Sequence, residues 1–166
     1  MTHCPPIQVA QAVAVEIQSA VDAGDLSAVF TPRFSFGSEI TKLESVNTDD
    51  GLVVDVMPHM SPAWSMAGQS LNRHDCRIKI GIRRRIDATE DRDGDGAIDT
   101  EAVAAYADLL YEILALFAAG RTLTTLTSAV WDPRTRPEIR LYDEEQLKQG
   151  LYVGWVHLPF VYHEGM

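Results

Sequence analysis

This sequence predicts an α+β fold: a mostly antiparallel sheet with two main helices packed against it, in a single domain. Three observations carry that expectation. Helical periodicity runs through residues 5–24 and 99–120. Strand-like runs lie between and after these stretches without alternating regularly with them, which argues against a doubly wound parallel sheet. The chain has 166 residues, 46 % hydrophobic and 23 % charged, enough for one domain with its own core.

The first element is "PPIQVAQAVAVEIQSAVDAG". Pro5 and Pro6 suit the first helical turn, Ile7, Val13, Ile17 and Val21 share a stripe, and Gly24 follows the end. "LSAVFTPRFSFG" reads as a connector with a short strand. "GLVVDVMP" reads as an apolar strand halted by Pro58. A long loop, 58–74, follows by composition, with Pro62, Gly68, three serines and Asn72. It also holds Met60, Trp64 and Met66, large apolar groups of the kind that anchor protein contacts.

"DCRIKIGIRRRID" is the clearest strand. Cys76, Ile78, Ile80, Ile82 and Ile86 alternate with Asp75, Arg77, Lys79, Gly81, Arg83 and Arg85. One face is core. The other carries Arg77, Lys79, Arg83 and Arg85, while Arg84 breaks the apolar row. The cations form either a solvated face balanced by acidic neighbours or a contact strip about 26 Å long. An acidic loop, 87–99, leads into the second helix. Asp99 is its expected N-cap, Glu101 favours the positive N-terminal end, and Val103, Tyr106, Leu110, Ile113, Leu114 and Phe117 form its stripe. "LTSAVWDP" and "PEIRLYD" read as short strands and "EEQLKQG" as a turn or one helical turn. "LYVGWVHLPFVYHE" is a last long strand, with Pro159 marking an edge or a bulge.

Acidic residues number 24 and basic ones 14, a net charge of −10. That sign argues against sequence-specific nucleic-acid binding as the main task, because phosphates are repelled. Two cysteines, Cys4 and Cys76, make neither a disulfide framework nor a CxxC pair. The start of the chain lacks the pattern of a signal peptide, and no apolar run reaches the roughly 18 residues of a membrane span. The expectation is a soluble intracellular protein with no membrane partner and reduced thiols.

"DRDGDGAIDTE" raises the question of calcium. Counting from Asp91, loop positions 1, 3 and 5 are Asp91, Asp93 and Asp95, Gly96 is sixth and Asp99 ninth, as an EF-hand requires. Position 12 is Ala102 where a bidentate Glu belongs, and a strand rather than a helix enters the loop. Residues 90–101 hold six acids and one base, Arg92, a net of −5 that a divalent cation would relieve. The reading is an exposed acidic turn that binds calcium weakly or not at all. His74 and Cys76 lack further ligands at metal spacing, and His157 and His163 read as structural. No hydrolase, P-loop or dinucleotide motif is present, and the expectation is a protein that is not an enzyme.

The order of segments resembles the tail-terminator, or tail-completion, proteins of long-tailed bacteriophages and prophages. The likeness runs over roughly residues 5–163. It rests on the N-terminal helix, "FTPRFSFGSEITKLES", "LVVDVMP" ending in Pro, "NRHDCRIKIGIRRRI", the second helix, "WDP", and a helical turn feeding "YVGWVHLPFVY". The resemblance implies a structural virion protein of the phage neck, assembled in the bacterial host cytoplasm. It implies a homo-oligomeric ring, commonly six-membered, that caps the tail tube and presents a surface to head–tail connector or neck proteins. On this reading Met60, Trp64, Met66, Arg77, Lys79, Arg83 and Arg85 are interface candidates. The alternatives are another neck protein, such as a head-completion subunit, and a small calcium-binding module.

Overall fold

A computed structural model describes residues 4–36, 51–59, 73–86, 98–118 and 122–164. The architecture is α+β, one six-stranded sheet with three helices among the described residues. Helix α1 spans Pro5–Ala23, with proline in its first turn. It ends at Gly24, whose φ of 77° closes the helix in the left-handed region that glycine enters without a Cβ penalty. Strand β1 is Arg33–Phe34 and β2 is Val53–His59. Strand β3, Arg73–Arg85, leads towards helix α2, Thr100–Ala118. Strands β4 (Ala129–Trp131) and β5 (Glu138–Arg140) precede the short helix α3, Glu144–Lys148, and the final strand β6, Leu151–His163.

The sheet order is β1-β2-β3-β6-β4, with β5 also paired to β6. All pairings are antiparallel except β1 with β2. Strands β3 and β6 pair along their whole length, from Arg73 opposite His163 to Arg85 opposite Leu151. This long hydrogen-bonded pair is the spine on which every other element hangs.

Side-chain alternation gives the sheet two faces. Cys76, Ile78, Ile80 and Ile82 of β3, Val54 and Val56 of β2, and Tyr152, Val156, Leu158 and Phe160 of β6 share one face and one core with the helices. Val9, Val13 and Ile17 of α1 and Leu110, Ile113 and Phe117 of α2 pack into it. The expected stripes of both helices therefore face this core, with Ile7 only partly buried. Cys76 is 1 % exposed, and burial pushes its thiol up to about 12. The thiol is protonated near neutral pH and packs in the core.

Two proline expectations need correction. Pro58 does not halt β2, which continues to His59 with Pro58 opposite Ile78. Pro159 lies in β6, which has strands on both sides, and stands opposite Arg77. The physical reason is the direction of the missing N–H. Pro159 accepts from Asp132 N at 3.1 Å, so its backbone polar groups point towards the β4 side. There β4 ends opposite Phe160 and β5 begins opposite His157, leaving Pro159 in the gap between the two partners. In β2, Val56 accepts from Ser35 N, and Pro58 points to that same side, beyond the end of β1. Neither proline removes a bond from its ladder with β3.

Gly154 explains how closely α2 approaches the sheet. A Cβ there would stand 2.6 Å from the Leu141 carbonyl oxygen and 2.8 Å from Leu110 Cδ1. The Tyr152 hydroxyl donates to that same Leu141 carbonyl and ties the β5–α3 connection to β6. Burial raises the pKa of this phenol.

Candidate functional site on the second sheet face

The face turned away from the helices carries the charged residues, arranged as two groups. The first spans β1, β2 and β3. Asp55 stands opposite Arg33 on one side and opposite Gly81 on the other, and Arg83 lies two residues beyond Gly81. Arg33 Nε and Nη2 both reach Asp55 Oδ1 at 2.9 Å, and Arg83 Nη2 donates to Asp55 Oδ2 at 2.9 Å. The Asp55 and Arg83 side chains are 1 % and 2 % exposed, whereas Arg33 is 50 % exposed. Both carboxylate oxygens of Asp55 are thus occupied by guanidinium donors, the strong, geometrically specific kind of ion pair.

The second group is a band across β2, β3, β6 and β5. Trp155 and His157 are two apart on β6 and point to the same side, with ring centroids 4.5 Å apart in a stack. His59 of β2 brings its ring within 4.6 Å of His157, so the two imidazoles meet above the intervening β3. Lys79 stands opposite His157, and its Nζ lies 5.0 Å from the centre of the Trp155 ring, within cation–π range. On the β5 side, Glu138 Oε2 is 3.4 Å from His157 Nδ1 and its Oε1 is 3.7 Å from Arg77 Nη1. Arg140 Nη2 is 3.1 Å from Asp143 Oδ2, the same side chain that caps α3.

The electrostatics follow from burial. His157 is held below the usual histidine range, first by desolvation and then by His59 and Lys79, while Glu138 works against them. Its ring is therefore neutral at pH 7, and its Nε2 is buried without a hydrogen-bond partner. Lys79 is lowered from the ordinary lysine value by desolvation and by the nearby charge of Arg140. Among the described residues, no carboxylate lies within ion-pair distance of its ammonium. The depression beside His157, lined by Arg77, Thr135, Arg136, Glu138 and Pro159, has a volume of about 10 Å³. That is about the room of one water, too little to enclose a larger ligand at His157.

The expected cation strip is thus divided by the fold. Arg77 and Lys79 belong to the band. Arg83 is buried in its own chain against Asp55, and Arg85 is exposed at the end of β3 opposite Leu151. Arg84 points to the helix side and lies 5.7 Å from the Tyr106 ring. Asp99 caps α2 as expected, with its Oδ1 accepting from Glu101 N and Ala102 N at 3.1 Å each. Met60, Trp64, Met66, Asp91, Asp93 and Asp95 lie outside the described residues. Among the described residues, no group of three or more His, Cys, Asp or Glu side chains is arranged to hold a metal ion. No described helix is long and apolar enough to cross a membrane.

Sequence reading missed Arg33, Asp55, His59, Glu138, Arg140 and Trp155 as members of these groups, and took His157 as structural. One signal was available: a lone aspartate inside "LVVDVMP" must find a cation if that strand is buried. The band itself has no such signal, because its members come from four separate strands. Comparison with protein-family models finds no match, and neither does comparison with curated proteins.

Proposed function

We propose that this chain is a structural subunit of a bacteriophage neck, assembling with its own copies into a closed ring on the head-proximal end of the tail tube. The ring ends tube growth and presents a surface to the head connector, so its partners are the tube protein and the connector or neck proteins. The observation that supports this reading is the Lys79–Trp155–His157 band, an aromatic and cationic group on the sheet face opposite the helices. Trp and Arg are the residues that carry energy at protein contacts. The likeness of segment order to tail-terminator proteins says which assembly such a contact serves.

Closure follows from the task. Identical subunits joined head to tail either close or grow into filaments, and a subunit that ends a polymer must close. Each contact is expected to bury on the order of 1,000 Å² or more. A net charge of −10 suits a ring around a DNA passage, since like charge keeps the nucleic acid from adhering.

The deciding experiment removes the gene and inspects the particles by electron microscopy. Overlong tails support a terminator. Tails of normal length that never join heads point to another neck protein. Normal, joined tails of fixed length overturn the reading.

A further inference from the structure

The two histidines of the band are held in opposite ways. His157 lies midway along β6, its backbone paired with β3 on one side and β5 on the other, and its side chain is only 11 % exposed. His59 is the last residue of β2, exposed, and stands opposite Arg77 of β3. Its ring leans over β3 to meet the His157 ring at 4.6 Å with a tilt of 30°. His157 in turn stacks on Trp155 at 4.5 Å, so three rings stand in a row.

The charges around this pair are unbalanced. From β3, Lys79 stands opposite His157 and Arg77 opposite His59. From β5, Glu138 Oε2 lies 3.4 Å from His157 Nδ1, and Arg140 stands opposite the neighbouring Trp155. Arg136, from the connection between β4 and β5, lines the same small depression as His157. Glu138 is shared with Arg77, while the next described acids, Asp75 and Asp143, are engaged by Arg73 and Arg140. Residues 60–72, which follow His59, contain no ionisable side chain. Neutral imidazoles can stack in such company, but two imidazoliums at this distance repel each other. Desolvation, His59 and Lys79 already hold His157 below its ordinary value.

We propose that the His59–His157 stack is an acid-operated latch: with the rings neutral it ties the end of β2 across β3 to β6, and when both take up a proton the His59 ring leaves while His157 stays. The asymmetry of the two sites decides which ring moves. An imidazolium at His157 gains the Glu138 carboxylate at Nδ1 and keeps the Trp155 ring face, a cation–π arrangement. An imidazolium at His59 meets Arg77 and His157, with no carboxylate within ion-pair distance among the described residues, and has water on its exposed side. Departure of His59 bares one face of the His157 ring and leaves the band with two more positive charges. The latch stands on these side chains alone and holds whatever assembly the chain serves.

The test follows the histidine ring signals and the Trp155 indole signal of the full chain by NMR, from about pH 7.5 to about pH 4.5. Ring-to-ring contacts are read as nuclear Overhauser effects. The His59–His157 contact is expected at the upper end and is expected to vanish as the second imidazole protonates, while the Trp155–His157 contact persists. His59→Gln is expected to move the His157 midpoint upward by about half a pH unit or more, because a like charge has gone. Glu138→Gln is expected to move it downward, because the favourable carboxylate has gone. The backbone amide signals of β3 and β6 are expected to persist throughout, which separates a latch from acid unfolding. An unmoved His157 midpoint in either variant overturns the proposal. So does a His59–His157 contact that survives with both rings protonated, or a His157 ring that leaves Trp155 in place of His59. Unfolding of the whole sheet before the His59–His157 contact is lost overturns it as well.

Discussion

Two ionic groups share one face of the sheet and differ in how deeply they are buried. Around Asp55, two guanidiniums occupy both carboxylate oxygens, and Asp55 and Arg83 are almost wholly removed from water. Around Lys79, the charges are partly exposed, one carboxylate is shared between Arg77 and His157, and the ammonium rests on an aromatic ring. The first arrangement joins three strands of one chain. In the second, among the described residues, no carboxylate lies within ion-pair distance of the Lys79 ammonium. The comparison teaches that charge pattern along a strand is a poor guide to role, since Lys79 and Arg83 are four residues apart on the same face and serve different ends.

The sharpest way to break this comparison is Asp55→Ala. It removes the carboxylate from a buried ion pair with Arg83, a change that typically costs about 3–5 kcal/mol. For a chain of this length the melting temperature is expected to fall on the order of 10 °C in calorimetry. Asp55→Leu with Arg83→Met, which removes charge from both buried positions, is expected to recover most of that loss. A fall below 2 °C for Asp55→Ala would mean that Arg83 is held without Asp55 and that the two groups do not differ as described.

Next in size is a control on the opposite face. Gly154→Ala drives a methyl into the Leu141 carbonyl and Leu110. Overpacking of this kind costs about 1–3 kcal/mol, read as a lower urea midpoint at unchanged slope. Its effect is expected to add to that of a change at Lys79, because the two act on different faces.

A third test uses pH to sharpen the contrast. His157 is held below its ordinary value of 6.5, so below pH 6.5 the unfolded chain binds a proton that the folded chain refuses. Stability is therefore intact above pH 6.5 and falls as pH drops below it. Urea midpoints measured at several pH values from 7.5 downwards are expected to show this slope, and His157→Gln is expected to flatten it. An unchanged slope in the variant would show that other groups set it.

The smallest effect belongs to the rim. Arg77 and Glu138 are exposed and 3.7 Å apart, a pair worth about 0–1 kcal/mol. Arg77→Ala is expected to leave the melting temperature within a few degrees of wild type. A large loss would place Arg77 with the buried group instead.

Much of the fold was legible from local pattern. Helix α1 was readable because Val13, Ile17 and Val21 repeat at the helical period and Gly24 marks the stop, and the observed bounds agree. Strand β3 was readable because its isoleucines alternate, and each of them is buried. The two prolines were misread, because whether a missing N–H matters depends on which neighbour has already ended. Pro159 is tolerated between the end of β4 and the start of β5, a fact about strand lengths and not about the residues beside it.

The sequence by itself determined the elements and the two-sidedness of β3, since periodicity reports which way a side chain points from its own backbone. Only the tertiary structure decided the fate of each cation. Asp55 and Arg83 are 28 residues apart, and Glu138 and His157 are 19. What brings them together is register: Asp55 opposite Gly81, and Lys79 and Glu138 both opposite His157. A shift of one residue in any of these ladders would turn the shifted strand's side chains to the opposite face. Alternation is a local property of an extended backbone, whereas register is set by burial of the isoleucine face against α1 and α2, and the charged groups follow it.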